Sequence, residues 1–210
     1  MYKFLFLITF IILHQDIAKA KKPDPNNFNQ KYLSNYFSAI ISTKNHNDLK
    51  AISYFNNSKN LIKFHKNFLE NYVFSLVSSG KIKRSIVELK KFNSENLDVF
   101  FEGHLILFID SINNKNFEKA GSHLRELSKF QNNDTYQIII TETLRSYLDL
   151  FTNKKIIRTN KDFGKLSLIT NAFQLCYLNS KNSNNSFLDL INSEDGDYSR
   201  YLFFYLQNII

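Results

Sequence analysis

Three segments of this chain share one spacing pattern, and that pattern limits the fold more than any other feature. Ala51 with Phe55 and Ser58, Ser85 with Leu89 and Phe92, and Ala120 with Leu124 and Leu127 repeat the same offsets, at steps of 34 and 35 residues. A small residue followed by a large apolar one at helical spacing marks a close crossing of two helices, and its return at this period predicts stacked helical hairpins. The clearest copy lies between Ser79 and Phe92. There Gly80 is expected to close one helix in a left-handed conformation, and Ile82, Ser85, Ile86, Leu89 and Phe92 give the next helix an apolar stripe.

Little in the rest of the sequence breaks a helix. Only two prolines, Pro23 and Pro25, and five glycines occur in 210 residues, so the chain beyond residue 31 can run through helices joined by short polar turns. With 43% hydrophobic and 22% charged residues it has enough apolar surface to fold, without the composition of a membrane-embedded chain. The expected class is all-α. Helices are predicted over residues 32–42, 49–63, 67–78, from Gly80 to Phe92, and over 97–112, 117–130, 136–151 and 163–178. A loop at 179–185, a turn or two of helix at 187–191 and a last helix at 197–210 follow. Tyr36, Phe37, Ile40 and Ile41 are expected to form the inward side of the first helix, and Asp48 to cap the second. The helix over 97–112 is apolar almost all round, so it should be covered on more than one side.

The N-terminus reads as an export signal. Lys3 precedes an apolar run over residues 4–13, and Ala18-Lys19-Ala20 has small residues where signal peptidase requires them. Ten apolar residues fall short of the roughly 20 that span a bilayer. The expectation is cleavage after Ala20, an extended leader over 21–31, and a mature chain in the periplasm or cell envelope. Cys176 is the sole cysteine, which excludes an internal disulfide in a monomer and predicts a buried, inert thiol. The formal charge of +8 permits an anionic partner, such as an envelope polymer or a membrane surface. The lysines are scattered singly or in short pairs, as AT-rich coding produces them, so nucleic acid is not expected. Stability must therefore come from packing.

Two stretches, Gly80-Lys-Ile-Lys-Arg-Ser-Ile86 and Lys115-Asn-Phe-Glu-Lys-Ala120, resemble the turn and small-residue packing position of tetratricopeptide repeats. With the export signal, the chain is similar to exported bacterial proteins of that class, although no repeat ends in the usual proline. The resemblance implies a right-handed α-solenoid of antiparallel hairpins, with about three repeats over residues 32–135 and a degenerate continuation over 136–210. It further implies that the first helix of each hairpin lines a concave groove. Asn67, Glu70, Phe74, Val77 and Ser78 would stand beside Glu102, Leu105, Ile109, Ile112 and Asn113, with Phe74, Leu105 and Ile109 as floor. A non-enzymatic scaffold that binds a protein or peptide is the expected function, with no cofactor.

Chemistry-bearing motifs are sparse. Beyond residue 20 the histidines are His46, His65, His104 and His123, with no i, i+4 pair and no HExxH, CxxC or phosphate-loop sequence. His104 and His123 are expected to meet across a hairpin, without the further ligands a metal site needs. Asp195-Gly196-Asp197 has too few carboxylates around it for a calcium loop. The Asn-X-Ser/Thr triplets at Asn56, Asn133 and Asn184 arise by chance in an Asn-rich chain. Residues 197–210 carry scarcely a polar face, so this end is expected to self-associate, dock a partner or continue into a further segment. If the export reading holds, N-terminal sequencing of the protein purified from the cell envelope returns Lys21, and recovery of Met1 overturns it.

Overall fold

In a computed structural model, residues 29–65, 67–94, 99–130, 134–156 and 161–192 are described, together with 201, 202 and 206. Gln30 and Lys31, expected in the extended leader, form the start of the first helix behind an Asn29 cap that accepts from the Lys31 N–H, while the export signal, the leader up to residue 28 and most of the expected last helix lie outside the described residues. Among them are nine α-helices and no strand: α1 Gln30–Lys44, α2 Asp48–Asn57, α3 Phe68–Ser78, α4 Ile82–Ser94, α5 Phe101–Asn113, α6 Phe117–Ser128, α7 Thr135–Asn153, α8 Lys165–Tyr177 and α9 Ser183–Ile191. The protein is all-α. It divides into two compact units at the turn between α3 and α4, the first ending at Ser79 and the second starting at Gly80.

In the first unit α1 and α2 form an antiparallel pair that α3 covers. Its core is aromatic: Tyr36 of α1 stacks on Phe68 of α3 with centroids 5.4 Å apart, and Phe55 of α2 meets Phe68 edge-on at 5.2 Å. Such offset and edge contacts stabilise beyond the area they bury. Ala39 and Ala51 are fully buried in the same core, where their small side chains allow the helices to approach. The α2 cap is Asn47, one residue ahead of the expected Asp48, and its side chain accepts from the Lys50 backbone N–H. Helix α2 also ends sooner than expected, giving way to a 3-10 turn over Lys59–Leu61. At that end Ser58 is buried, with its hydroxyl donating to the Tyr54 carbonyl at 2.8 Å.

The second unit carries the other two copies of the spacing pattern. Residues at all nine pattern positions, in α2, α4 and α6 and just after α2 at Ser58, are buried. Helix α4 reaches α5 where α5 has Gly103: a Cβ there would come within 3.0 Å of Leu89 Cδ2 and 2.7 Å of Val99 Cγ1. On its other side α5 packs on α6, with Phe101, Phe108, Ala120, Leu124 and Leu127 as the core and Ile140, Leu144 and Leu148 of α7 against it. Helix α5 is thus covered from two directions, as its apolar circumference requires. Ile82 departs from expectation, since it is exposed at the start of α4.

One turn geometry recurs. His46 (φ 55°), Gly80 (φ 75°) and Lys115 (φ 55°) are left-handed at the same steps as the spacing pattern. After α1, Asn47 N–H donates to the Ser42 carbonyl and His46 N–H to Thr43; after α5, Asn116 and Lys115 do the same to Ser111 and Ile112. These paired bonds satisfy the last carbonyls of a helix and reverse the chain. The segment after α8 does likewise through Asn179, whose N–H reaches Cys176 while Ser180 N–H reaches Leu175. Residues 179–185 are therefore not simply a loop: α9 begins at Ser183 and packs on α8 through Phe173 and Phe187, with centroids 5.4 Å apart. Cys176 is half-buried against that small core.

Ala120 is fully buried at the α5–α6 crossing and Lys119 beside it is exposed. Ala120→Leu should cost about 1–3 kcal/mol through overpacking, whereas Lys119→Leu should change stability by less than about 0.5 kcal/mol. Urea unfolding of the two variants measures the difference.

Candidate functional site

The residues expected to line a groove occupy one face of α3 and one face of α5, each in its own unit. On α3 the spacing 67, 70, 74, 77, 78 returns every three or four residues, so Asn67, Glu70, Phe74 and Ser78 share the outward side with the half-buried Val77. Phe74 is 58% exposed. On α5 the same spacing sets out Glu102, Leu105, Ile109, Ile112 and Asn113. Leu105 and Ile112 turn partly inward onto the Phe101–Leu127 core, while Ile109 remains 55% exposed between the exposed Glu102 and Asn113. The floor expected of Leu105 is thus shared with packing.

Helix α1 adds two residues that periodicity had assigned to the interior. Phe37 is 55% and Ile41 59% exposed, while Tyr36 and Ala39 are buried and Ile40 is half-buried. The inward stripe is centred on Tyr36, so residues at 37 and 41 are rotated about 100° and about 140° away from it. Helices α1 and α3 stand side by side, linked by Thr43 and Ser75, whose hydroxyls meet at 2.9 Å. In the first unit Phe37 and Ile41 on α1 and Phe74 on α3 are thus exposed, as are Leu49 on α2 and Phe64 beyond it.

An open pocket of about 250 Å³ lies between α7 and α8, where Glu142, Ser146, Asp162 and Gln174 line it together with the apolar Ile156 and Phe163. Sequence periodicity gave no sign of it, although two amide and hydroxyl residues on otherwise apolar helices were the available signal. Gln174 is 3% exposed, and its Nε2 donates to Ser146 Oγ at 3.0 Å; Ser146 in turn donates to the Thr143 carbonyl at 2.8 Å. Glu142 lies 3.5 Å from both Arg145 Nε and Lys161 Nζ. Asp162 accepts from the Gly164 N–H at 2.9 Å. Burial raises the Tyr147 hydroxyl above its ordinary range, and a hydrogen bond with Thr170 opposes that rise. These polar groups hold one another across the helix pair.

His104 and His123 do meet, with Nδ1 atoms 3.3 Å apart. Burial, then the neighbouring imidazole, lowers His104 to about 4; burial likewise lowers His123. Among the described residues no set of three His, Cys, Asp or Glu side chains is arranged to hold a metal ion. No described helix is long and apolar enough to cross a membrane. Asp195 and Asp197 lie outside the described residues. Compared with known proteins, the chain matches no protein-family model, no curated protein and no solved structure.

The buried amide that joins α7 to α8 should be structural. Gln174→Ala removes its bond to Ser146 and leaves a void, so a loss of about 1–3 kcal/mol is expected in thermal or urea unfolding.

Proposed function

We propose that this chain is a non-enzymatic protein-interaction scaffold of the bacterial periplasm or envelope, built as a short tetratricopeptide-like solenoid. It holds a protein or peptide segment on the outer faces of its first helices. The observation that carries this reading is a contrast between equivalent positions. Phe74 and Ile109, 35 residues apart, are both more than half exposed, whereas the spacing-pattern residues of the second helices are buried. An apolar side chain of that size left in water forgoes roughly 1.5–3 kcal/mol of burial. Each stands on the outward side of its own helix, Phe74 with Asn67 and Glu70 at α3 and Ile109 with Glu102 and Asn113 on α5, and each offers a partner an apolar anchor with polar margins.

Phe37 and Ile41 extend the same apolar character over α1. An amphipathic helix or an extended peptide with alternating apolar residues suits such a face, because either can offer anchors at intervals matching adjacent helical turns. Binding of this kind depends on apolar burial, so it survives moderate salt, whereas capture of an anionic polymer by lysines falls steeply as salt rises.

Crosslinked capture from an envelope extract tests the proposal. Phe74→Glu and Ile109→Glu should each reduce recovery of the partner at least about tenfold, the equivalent of 1.4 kcal/mol, while the melting temperature stays within a few degrees. Unchanged recovery from both variants overturns the proposed face. Recovery that collapses at moderate salt in the wild type favours electrostatic polymer binding instead.

A further inference from the structure

The His104 and His123 rings face each other across the α5–α6 hairpin, with centroids 5.5 Å apart and planes inclined by 42°. A contact of 3.3 Å between two Nδ1 atoms requires one to carry hydrogen and the other to offer its lone pair. Two neutral rings meet that condition when their tautomers differ. Two protonated rings cannot, since both nitrogens then carry hydrogen and positive charge. His104 is 5% exposed, so water can do little to screen a charge placed there.

The charged groups around the pair offer little compensation. From α4 comes Lys90, bound at 2.6 Å to Asp110 of α5. From α6 come Lys119 and Glu126, and Lys129 just beyond α6 holds Glu126 at 2.7 Å. From α7, Arg145 donates to Ser128 Oγ, and Glu142 is taken up by Arg145 and Lys161. Both nearby carboxylates, Asp110 and Glu126, thus already carry a lysine. Among the described groups around the pair, a second imidazolium meets carboxylates that a lysine already holds.

We propose that His104 and His123 form an acid-sensitive clasp, which closes the α5–α6 hairpin while both rings are neutral and releases it when they are protonated. The direction follows from linkage. Unfolded, His104 takes up its proton near 6.5; folded, it does so at about 4, because burial and then the His123 ring oppose the charge. The unfolded state therefore binds more protons between these values. The contribution of the clasp is complete above pH 6.5 and is lost as the pH falls towards 4. It holds whether or not the outer face of α5 binds a partner.

Urea unfolding of the full chain at pH 7 and pH 4, for the wild type, His104→Gln and His123→Gln, tests the clasp alongside histidine-ring NMR titration. On moving to pH 4, the wild-type unfolding constant should rise on the order of a hundredfold more than that of His104→Gln. The His104 ring resonance should titrate with a midpoint of about 4. Amide exchange in α5 and α6, normalised for intrinsic rates, should accelerate over the same range. Equal acid sensitivity in all three proteins, or a His104 midpoint at the ordinary 6.5, overturns the proposal. If a variant fails to fold, the wild-type titration and amide exchange decide alone.

Discussion

At the ends of α1, α5 and α8 the chain reverses through one left-handed residue, with two amide hydrogen bonds folding back onto the helix just finished. Much of the architecture depends on that closure. It fixes the exit direction, so the next helix must return alongside, and the side chains that face inward at the crossing have to be small. Ala120 stands at such a point on α6, as Ala51 does on α2. None of these three turns uses glycine: His46, Lys115 and Asn179 adopt positive φ themselves. A left-handed conformation costs a non-glycine residue about 1–2 kcal/mol. The two satisfied carbonyls and the burial that the reversal permits must outweigh it, so these turns are stable only in the company of the helices they join.

An Asn- and Ser-rich chain has to bury polar atoms, and the way it does so explains why the helices remain regular. Ser58, Ser75, Ser85 and Ser111 are buried, yet each hydroxyl returns to a carbonyl three or four residues earlier in its own chain, at 2.7–3.1 Å. A serine bonded in this way has nearly the volume of alanine and leaves no unsatisfied donor. It can therefore occupy the small-residue position of a crossing, as Ser85 does where the other copies have Ala51 and Ala120. Gln137 on α7 is the exception, with its Oε1 buried and unpartnered among the described residues.

The legible part of this fold was the part set by local rules. Pattern spacing identified the buried positions of α2, α4 and α6, and Gly80 announced its left-handed turn, because both follow from steric limits on the nearest few residues. Angular position was harder to read. Tyr36, Phe37, Ile40 and Ile41 are all apolar, and only packing by α2 and α3 decides that Tyr36 turns inward while Phe37 and Ile41 turn out. The turn before α9 was obscure for a different reason. Asn179, Ser180 and Asn182 have the composition of a loop, but that composition also suits helix closure and re-entry, and the outcome depends on Phe187 finding Phe173. The pocket between α7 and α8 was illegible because it depends on how these two consecutive helices are set against each other, which the periodicity along either one does not fix.

The distribution of satisfied and unsatisfied chemistry underlies the proposed scaffold role. Glu142 is shared between two cations, Ser146 both accepts and donates, and Asp162 caps the backbone ahead of α8. These groups join α7, α8 and the segment ahead of α8 to one another. Among the described residues the hairpins leave apolar area exposed on Phe37, Ile41, Phe74 and Ile109, and also on Leu49, Phe64, Val87, Tyr136 and Leu168. Hydrophobic surface has no directional demand, so a helix face can offer it to a partner without disturbing the hydrogen bonds within the helices. Recognition by burial on such a face needs shape and spacing alone, and the helical register supplies both.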